Sequence, residues 1–209
     1  MGVLLSILLA ASAADLPSFP CNSMNSIVEA AICADPELAA YDRAMALAYP
    51  RMTLEARKTQ KAWLAERNRC GDSRKVRVCL RRAYVDRLLS RGGVFGSIEK
   101  PENATVLVFR RSEDGGPGGI AILDVGGGKL VYHLWSTFFS YAYNSDHPRE
   151  ISGDTYGVIA MDKGTGHEIA TKECDFTISR HGNGWTITDS GPCLGVNNNP
   201  DGTYLPRRR

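Results

Sequence analysis

The stretch that decides the fold of the N-terminal half covers residues 26–38 and reads SIVEAAICADPEL. It contains two consecutive helix starts. Ser26, with Glu29 three residues later, forms a capping box in which each side chain accepts a backbone N–H group. Asp35 before Pro36 starts a second helix, because aspartate caps free N–H groups and proline supplies the helical φ at the first position. The stretch therefore predicts a short helix followed directly by a longer one.

Two more helices are predicted in the same half. Pro50 ends the second helix and Thr53 can cap a third, which carries Trp63 seven residues from both Ala56 and Cys70. This spacing predicts that Trp63 is buried in the core. The fourth helix is marked by its apolar positions, which are Val76, Cys79, Leu80, Ala83, Tyr84 and Leu88.

The cysteines of this half indicate disulfides rather than a zinc site, because the chain has an even number of them and no C-x-x-C pair. The second and third helices are joined by a short turn and should run antiparallel, which brings Cys70 beside Cys33. That leaves Cys21 to pair with Cys79. The pairing of Cys70 with Cys79 remains an open alternative, since spacing alone does not fix connectivity.

This half contains four motifs at a specific spacing: F-x-C at 19–21, EAAICADPELAxYD at 29–42, QKAWLxERxxC at 60–70 and CLxxxYxxRL at 79–88. Together they resemble the N-terminal domain of the LprI family of lysozyme inhibitors. The resemblance implies a disulfide-stapled bundle of short helices. It also implies a protein that binds and obstructs a cell-wall hydrolase of the lysozyme type.

The second half has the pattern of an antiparallel β-rich domain. Gly, Val, Ile, Thr and aromatic residues replace the helical composition, and the segment 181–184 should turn a hairpin. Cys174 and Cys193 flank this turn and are predicted to form a third disulfide. The segments 174–178 and 201–204 resemble a β-rich domain that follows the helical one in many exported bacterial proteins. Predicted strands are 106–110, 120–125, 130–135, 156–161, 174–179 and 185–188.

The fold class is therefore predicted to be α+β, a small helical bundle followed by an antiparallel sandwich or small barrel. Residues 1–13 are an apolar run ending in Ala-Ser-Ala and are predicted to be a signal peptide. Predicted boundaries are 19–91 for the helical domain, 92–103 for a linker and 104–206 for the β-rich domain. We expect a periplasmic or secreted bacterial protein that does not span the membrane.

The sequence carries no recognisable catalytic, metal or cofactor motif. There is no nucleophile elbow, the glycine-rich segments lack the end of a P-loop, and no two histidines stand at metal-ligand spacing. We therefore expect a non-enzymatic protein without a cofactor or metal. An enzyme of unrecognised class is the alternative, and its mark would be a pocket in the β half that gathers acidic residues with one of the histidines, His133, His147, His167 and His181.

Charge is distributed unevenly. Residues 51–91 hold thirteen Lys or Arg and four Asp or Glu, about +9, although the whole chain carries only +2. Three hypotheses follow: a solvated helix surface, a module that binds an anionic envelope polymer, or a lysozyme inhibitor whose basic residues reach an acidic groove. For the inhibitor, the predicted contact residues are Arg74, Lys75 and Arg77, in a loop between two helices. Nucleic acid is not an expected partner.

Overall fold

The computed structural model describes residues 16–88, 106–111, 118–140, 149–162, 164–171, 174–189 and 200–206. The predicted α+β class is confirmed, with helices in the N-terminal part and an antiparallel sheet after them. No helix within these ranges is long and apolar enough to cross a bilayer. The described helices are α1 (Ile27–Cys33), α2 (Pro36–Ala48), α3 (Leu54–Lys58), α4 (Gln60–Asn68) and α5 (Val76–Leu88), with 3₁₀ turns at Tyr49–Arg51 and Arg69–Asp72.

The helices begin where the capping residues predict. The Ser26 hydroxyl accepts the N–H of Glu29 at 3.1 Å. Asp35 Oδ1 accepts two N–H groups of the first turn of α2, at 2.9 and 3.3 Å. Thr53 caps α3 by accepting the N–H of Ala56 at 3.2 Å. Each of these side chains satisfies donors that a helix leaves free at its start, so the starts depend on local sequence alone.

The predicted third helix is broken into α3 and α4. Thr59 lies at the break and donates its hydroxyl to the carbonyl of Ala56 at 2.9 Å, an interaction that competes with helix continuation. Trp63, on α4, packs against the helical core but is half-buried, not fully buried as the stripe predicted. Its ring meets the edge of Tyr84 at 5.5 Å, and its indole N–H donates to the carbonyl of Ala83 at 3.2 Å.

The predicted pairs Cys21–Cys79 and Cys33–Cys70 are wrong. The structure joins Cys21 to Cys33 and Cys70 to Cys79, with Cα–Cα distances of 5.8 and 5.6 Å, so the alternative for Cys70 was correct. The antiparallel argument did place the Cys70 turn beside α1, because the adjacent Gly71 faces Val28. Each cysteine nevertheless pairs within its own short loop, where the chain folds back on the neighbouring helix.

The β half is an antiparallel meander in which neighbouring strands pair in chain order and β1 pairs with β8 to close a barrel. Each of the six predicted strands lies within an observed strand. Two further strands, β5 and β8, were not predicted. The strands are β1 (Val106–Arg111), β2 (Gly118–Gly126), β3 (Lys129–Ser140), β4 (Arg149–Asp162), β5 (Thr165–Thr171), β6 (Cys174–His181), β7 (Gly184–Asp189) and β8 (Gly202–Pro206).

Side chains alternate between the inside of the barrel and its outer surface. The inside is filled by an apolar cluster that includes Tyr132, Phe176 and Trp185, each 2% exposed or less. Leu123 and Val131 point outward, yet both are fully buried because α2 packs over this part of the barrel wall. Around Leu123 and Val131, strands β2 and β3 are therefore buried on both faces, and the helices share one hydrophobic cluster with this part of the outer surface of the barrel.

Several sequence expectations fall outside the described residues. These are the signal peptide at 1–13, the linker at 92–103 and the disulfide partner Cys193. His147 also lies outside them. The hairpin turn at 181–184 is described, and Gly182 supplies its positive φ of 57°.

Candidate functional site

Most of the basic residues in the helical segment form ion pairs or hydrogen bonds within the fold. Of the twelve Lys or Arg between 51 and 88, six form ion pairs with carboxylates. Three others, Arg51, Arg57 and Arg87, donate to main-chain carbonyl groups within the helical segment. Most of the local positive charge is therefore neutralised or bound within the fold.

Two of these pairs join α5 to the start of α2. Arg77 donates from Nε and Nη2 to Oδ2 of Asp35, at 2.7 and 2.5 Å. One turn further along α5, Arg81 donates from Nε to Oε1 of Glu37 at 2.8 Å. Residues four apart lie on the same face of a helix, which is why both arginines reach the same end of α2.

A buried carboxylate forms the centre of the helical segment. Asp42, 5% exposed, accepts the hydroxyl of Tyr84 at 2.7 Å and the guanidinium of Arg67 at 3.5 Å. Its other oxygen accepts the backbone N–H and the hydroxyl of Ser18, at 2.8 and 2.5 Å. Arg67 is in turn stacked against Trp63, 5.6 Å from the ring centre. Because every group in this network has a partner, its role is to hold α2, α4 and α5 together.

Two tyrosines in this core titrate abnormally. Burial raises the pKa of Tyr41 and Tyr84 well above the ordinary value for a phenol, and the nearby carboxylates of Glu37 and Asp42 raise them further. Both hydroxyl groups therefore remain protonated and act as neutral groups at any physiological pH.

The predicted contact residues separate into two kinds. Arg77 belongs to α5, not to the loop in which it was predicted, and its guanidinium is bound to Asp35 although its side chain is 70% exposed. Arg74 and Lys75 do lie in a turn, between the 3₁₀ turn at Arg69–Asp72 and α5. Both are exposed, and neither side chain has a hydrogen-bond or ion-pair partner among the described residues.

The turn that carries these two cations is held at several points. The Cys70–Cys79 disulfide closes it, and the hydroxyl of Ser73 accepts the backbone N–H of Lys75 at 3.1 Å. Within the described ranges, the only other cation of the segment without a partner is Lys61, which is on α4. The turn is thus a fixed, exposed site of two positive charges, and we call it the Arg74–Lys75 turn.

The carboxylates of α2 are the residues that sequence reasoning missed. Asp35 was interpreted only as a cap, and Asp42 only as part of a family motif. The available signal was helical spacing, because Arg77 and Arg81 stand four apart opposite the acidic start of α2. No group of three or more His, Cys, Asp or Glu side chains in the described ranges is arranged to hold a metal ion.

Comparisons of the chain with protein-family models, with curated proteins and with solved structures give no match. The resemblance to the LprI family therefore stays an expectation from the sequence motifs.

Proposed function

We propose that this chain is an exported, non-enzymatic binding protein that obstructs a cell-wall hydrolase of the lysozyme type. The observation that carries the proposal is the Arg74–Lys75 turn, where two unpartnered cations are exposed in a disulfide-closed turn. Hydrolases of this type work with paired carboxylates in an open groove. A cation inserted between such carboxylates gains charge-assisted hydrogen bonds and blocks the substrate.

The fixed shape of the turn supports this role. A side chain presented by a rigid segment loses less conformational freedom on binding than one presented by a mobile loop. The neutralised surface around the turn supports it as well. Many lysozymes are basic, and an inhibitor with about nine excess positive charges would be repelled. Because Asp35, Glu37 and Asp42 pair with the arginines of the segment, the repulsion is reduced while the two contact cations remain free.

Binding to an anionic envelope polymer is the second candidate. It is supported by the same unpartnered cations together with Lys61. Polymer binding relies on many exposed charges and is strongly weakened by salt. Since most arginines of the segment are bound within the fold, fewer charges are available than the sequence suggested. The inhibitor is therefore the function that the geometry favours.

A turbidity assay of cell-wall lysis with several lysozyme types and purified mature protein tests the proposal. We expect inhibition of at least one type, reduced tenfold or more in the double variant Arg74→Ser with Lys75→Ser. Arg77 is left unchanged because its removal would deprive Asp35 of its partner. The matched control is Lys58→Ser with Arg82→Ser, which removes the same charge from exposed helix positions.

The outcomes separate the possibilities. Full inhibition by the control and loss in the double variant support the proposal. If the double variant of the Arg74–Lys75 turn and the control double variant lose inhibition equally, overall charge and not the turn governs binding. Inhibition of no lysozyme type, with salt-sensitive binding to anionic polymer, replaces the inhibitor with the second candidate.

A further inference from the structure

A row of aromatic side chains lies where the helical cover of the barrel ends. His133 and Trp135 point outward from β3, and their rings are 5.4 Å apart. Tyr156 of β4 is the cross-strand partner of His133 and points to the same side. All three are half-buried, whereas Val131, the preceding outward position on β3, is completely covered by the helices. The row therefore borders the helical segment and continues beyond it along the barrel wall.

Trp135 lies flat against the sheet because its neighbour on β2 is a glycine. Gly119 pairs with Trp135, and a Cβ atom at Gly119 would stand 2.2 Å from Cζ2 of the indole. The indole therefore occupies the space that any other residue at this position would fill. The ring therefore lies over the backbone of β2 at Gly119, and because Trp135 is only half-buried, part of the indole stays accessible.

Polar groups of both signs border the aromatic row. The guanidinium of Arg81 lies 5.9 Å above the ring of Tyr156 and donates to Glu37 at 2.8 Å. The side chains of Arg81 and Glu37 are 46% and 37% exposed, so both are open to a ligand. Behind them is the hydroxyl of Tyr41, which is completely buried and lies within reach of the Glu37 carboxylate. The charges of Glu37 and Arg81 both act on this hydroxyl.

The Tyr41 hydroxyl is a second donor that is available to the Glu37 carboxylate. Burial and Glu37 raise the pKa of Tyr41, which keeps its proton available for donation. If a ligand attracts the guanidinium of Arg81, the carboxylate of Glu37 loses a donor. Tyr41 is then the neighbouring donor that replaces it.

We propose that this seam between α5 and the outer wall of β3 and β4 binds a neutral saccharide ring. The apolar C–H face of a pyranose fits the open face of an indole, and aromatic side chains supply large contact area at low entropic cost. Sugar hydroxyls both donate and accept, which matches the acceptor Glu37 and the donor Arg81. These two charges cancel, so an uncharged sugar is favoured over an anionic one.

A peptide strand fits this surface less well. Peptides that add to a sheet need a free strand edge, and β3 is paired with β2 and β4 on both sides at Trp135. The seam is also separate from the Arg74–Lys75 turn. Neither proposal depends on the other.

The test is titration of the wild-type protein with a soluble, neutral chitin oligosaccharide, followed by the indole N–H resonances in NMR spectra. The three tryptophans provide an internal control. Trp185 is inside the barrel and Trp63 packs in the helical segment, so only the Trp135 resonance should shift strongly. We expect Arg81→Ala to weaken binding tenfold or more and Arg82→Ala, its solvent-facing neighbour, to change it less than twofold.

Gly119→Ala is the second variant, because it forces the indole off the sheet without removing it. It should weaken binding at least as much as Arg81→Ala, with the thermal unfolding midpoint recorded to confirm that the barrel folds. The proposal is overturned if the Trp135 resonance is unmoved by millimolar oligosaccharide, or if Arg82→Ala weakens binding as much as Arg81→Ala. It is equally overturned if an anionic polysaccharide binds and the neutral one does not.

Discussion

Replacing Asp42 by alanine removes the central acceptor of the helical segment. The carboxylate accepts two hydrogen bonds from Ser18, one from Tyr84 and one from Arg67. Without it, the buried hydroxyl of Tyr84 loses its acceptor. The guanidinium of Arg67, whose side chain is only 12% exposed, loses its carboxylate and keeps only the neutral acceptors on Tyr84 and Asn68. Removing one partner of a buried charged pair typically costs about 3–5 kcal/mol. We expect a loss of that size in the free energy of unfolding.

Thermal unfolding followed by circular dichroism measures this loss. For a domain of this size, the midpoint should fall by about 10 °C. The control is Asp86→Ala, because the Asp86 side chain is 66% exposed and pairs with Arg82 at a longer distance of 3.7 Å. An exposed pair of this kind contributes about 0–1 kcal/mol. If Asp42→Ala and Asp86→Ala unfold at the same temperature, the network around Asp42 does not hold the helices together.

Three further outcomes are expected. A non-reducing tryptic digest should yield peptide 70–74 linked to peptide 78–81, whereas a link from either of them to the peptide that holds the first two cysteines would contradict the observed pairing. In the barrel, Gly184→Ala should destabilise more than Gly126→Ala. A Cβ at Gly184 would stand 2.2 Å from a backbone oxygen of β8, whereas alanine at Gly126 meets nothing within 4 Å and is strained only by the positive φ of 83°. Urea denaturation of both variants checks this, and an equal midpoint would refute it. Finally, burial raises the pKa of the two core tyrosines, so their contribution to stability should be constant below about pH 10, the pKa of an unfolded tyrosine, and be lost as the pH rises above it. The measurement is the urea midpoint below and above about pH 10. An unchanged midpoint would contradict this expectation.

Local features of the fold could be predicted from the sequence because local chemistry determines them. The caps at Ser26, Asp35 and Thr53 each need only a few neighbouring residues, and all three are confirmed. Six strands were predicted from β-prone runs. The strand β5 was missed because TGHEIAT mixes polar and apolar residues, and β8 because it is short and follows a Pro-Asp-Gly turn signal.

Features that depend on distant partners could not be predicted in the same way. The cation at Arg77 is 42 residues from Asp35, and Arg81 is 44 residues from Glu37. The sequence gives the number of these charges but not their partners, so the ion pairs of Arg77 and Arg81 were not predicted. The predicted disulfide pairing was wrong for a related reason. The orientation of the helices determines which segments are neighbours, but it does not determine which two cysteines are closest.

The packing of α2 over the barrel wall has a practical consequence for the expression of the two halves as separate fragments. A fragment that contains only the strands would expose a contiguous apolar surface formed by Leu123, Val125 and Val131. A fragment that contains only the helices would expose the matching apolar surface, and would also lose the hydrogen bond from Arg43 to the carbonyl of Val125. If the chain is divided near residue 97, each fragment should aggregate when it is expressed alone. When the two fragments are expressed together in the same cell, they should associate through these apolar surfaces.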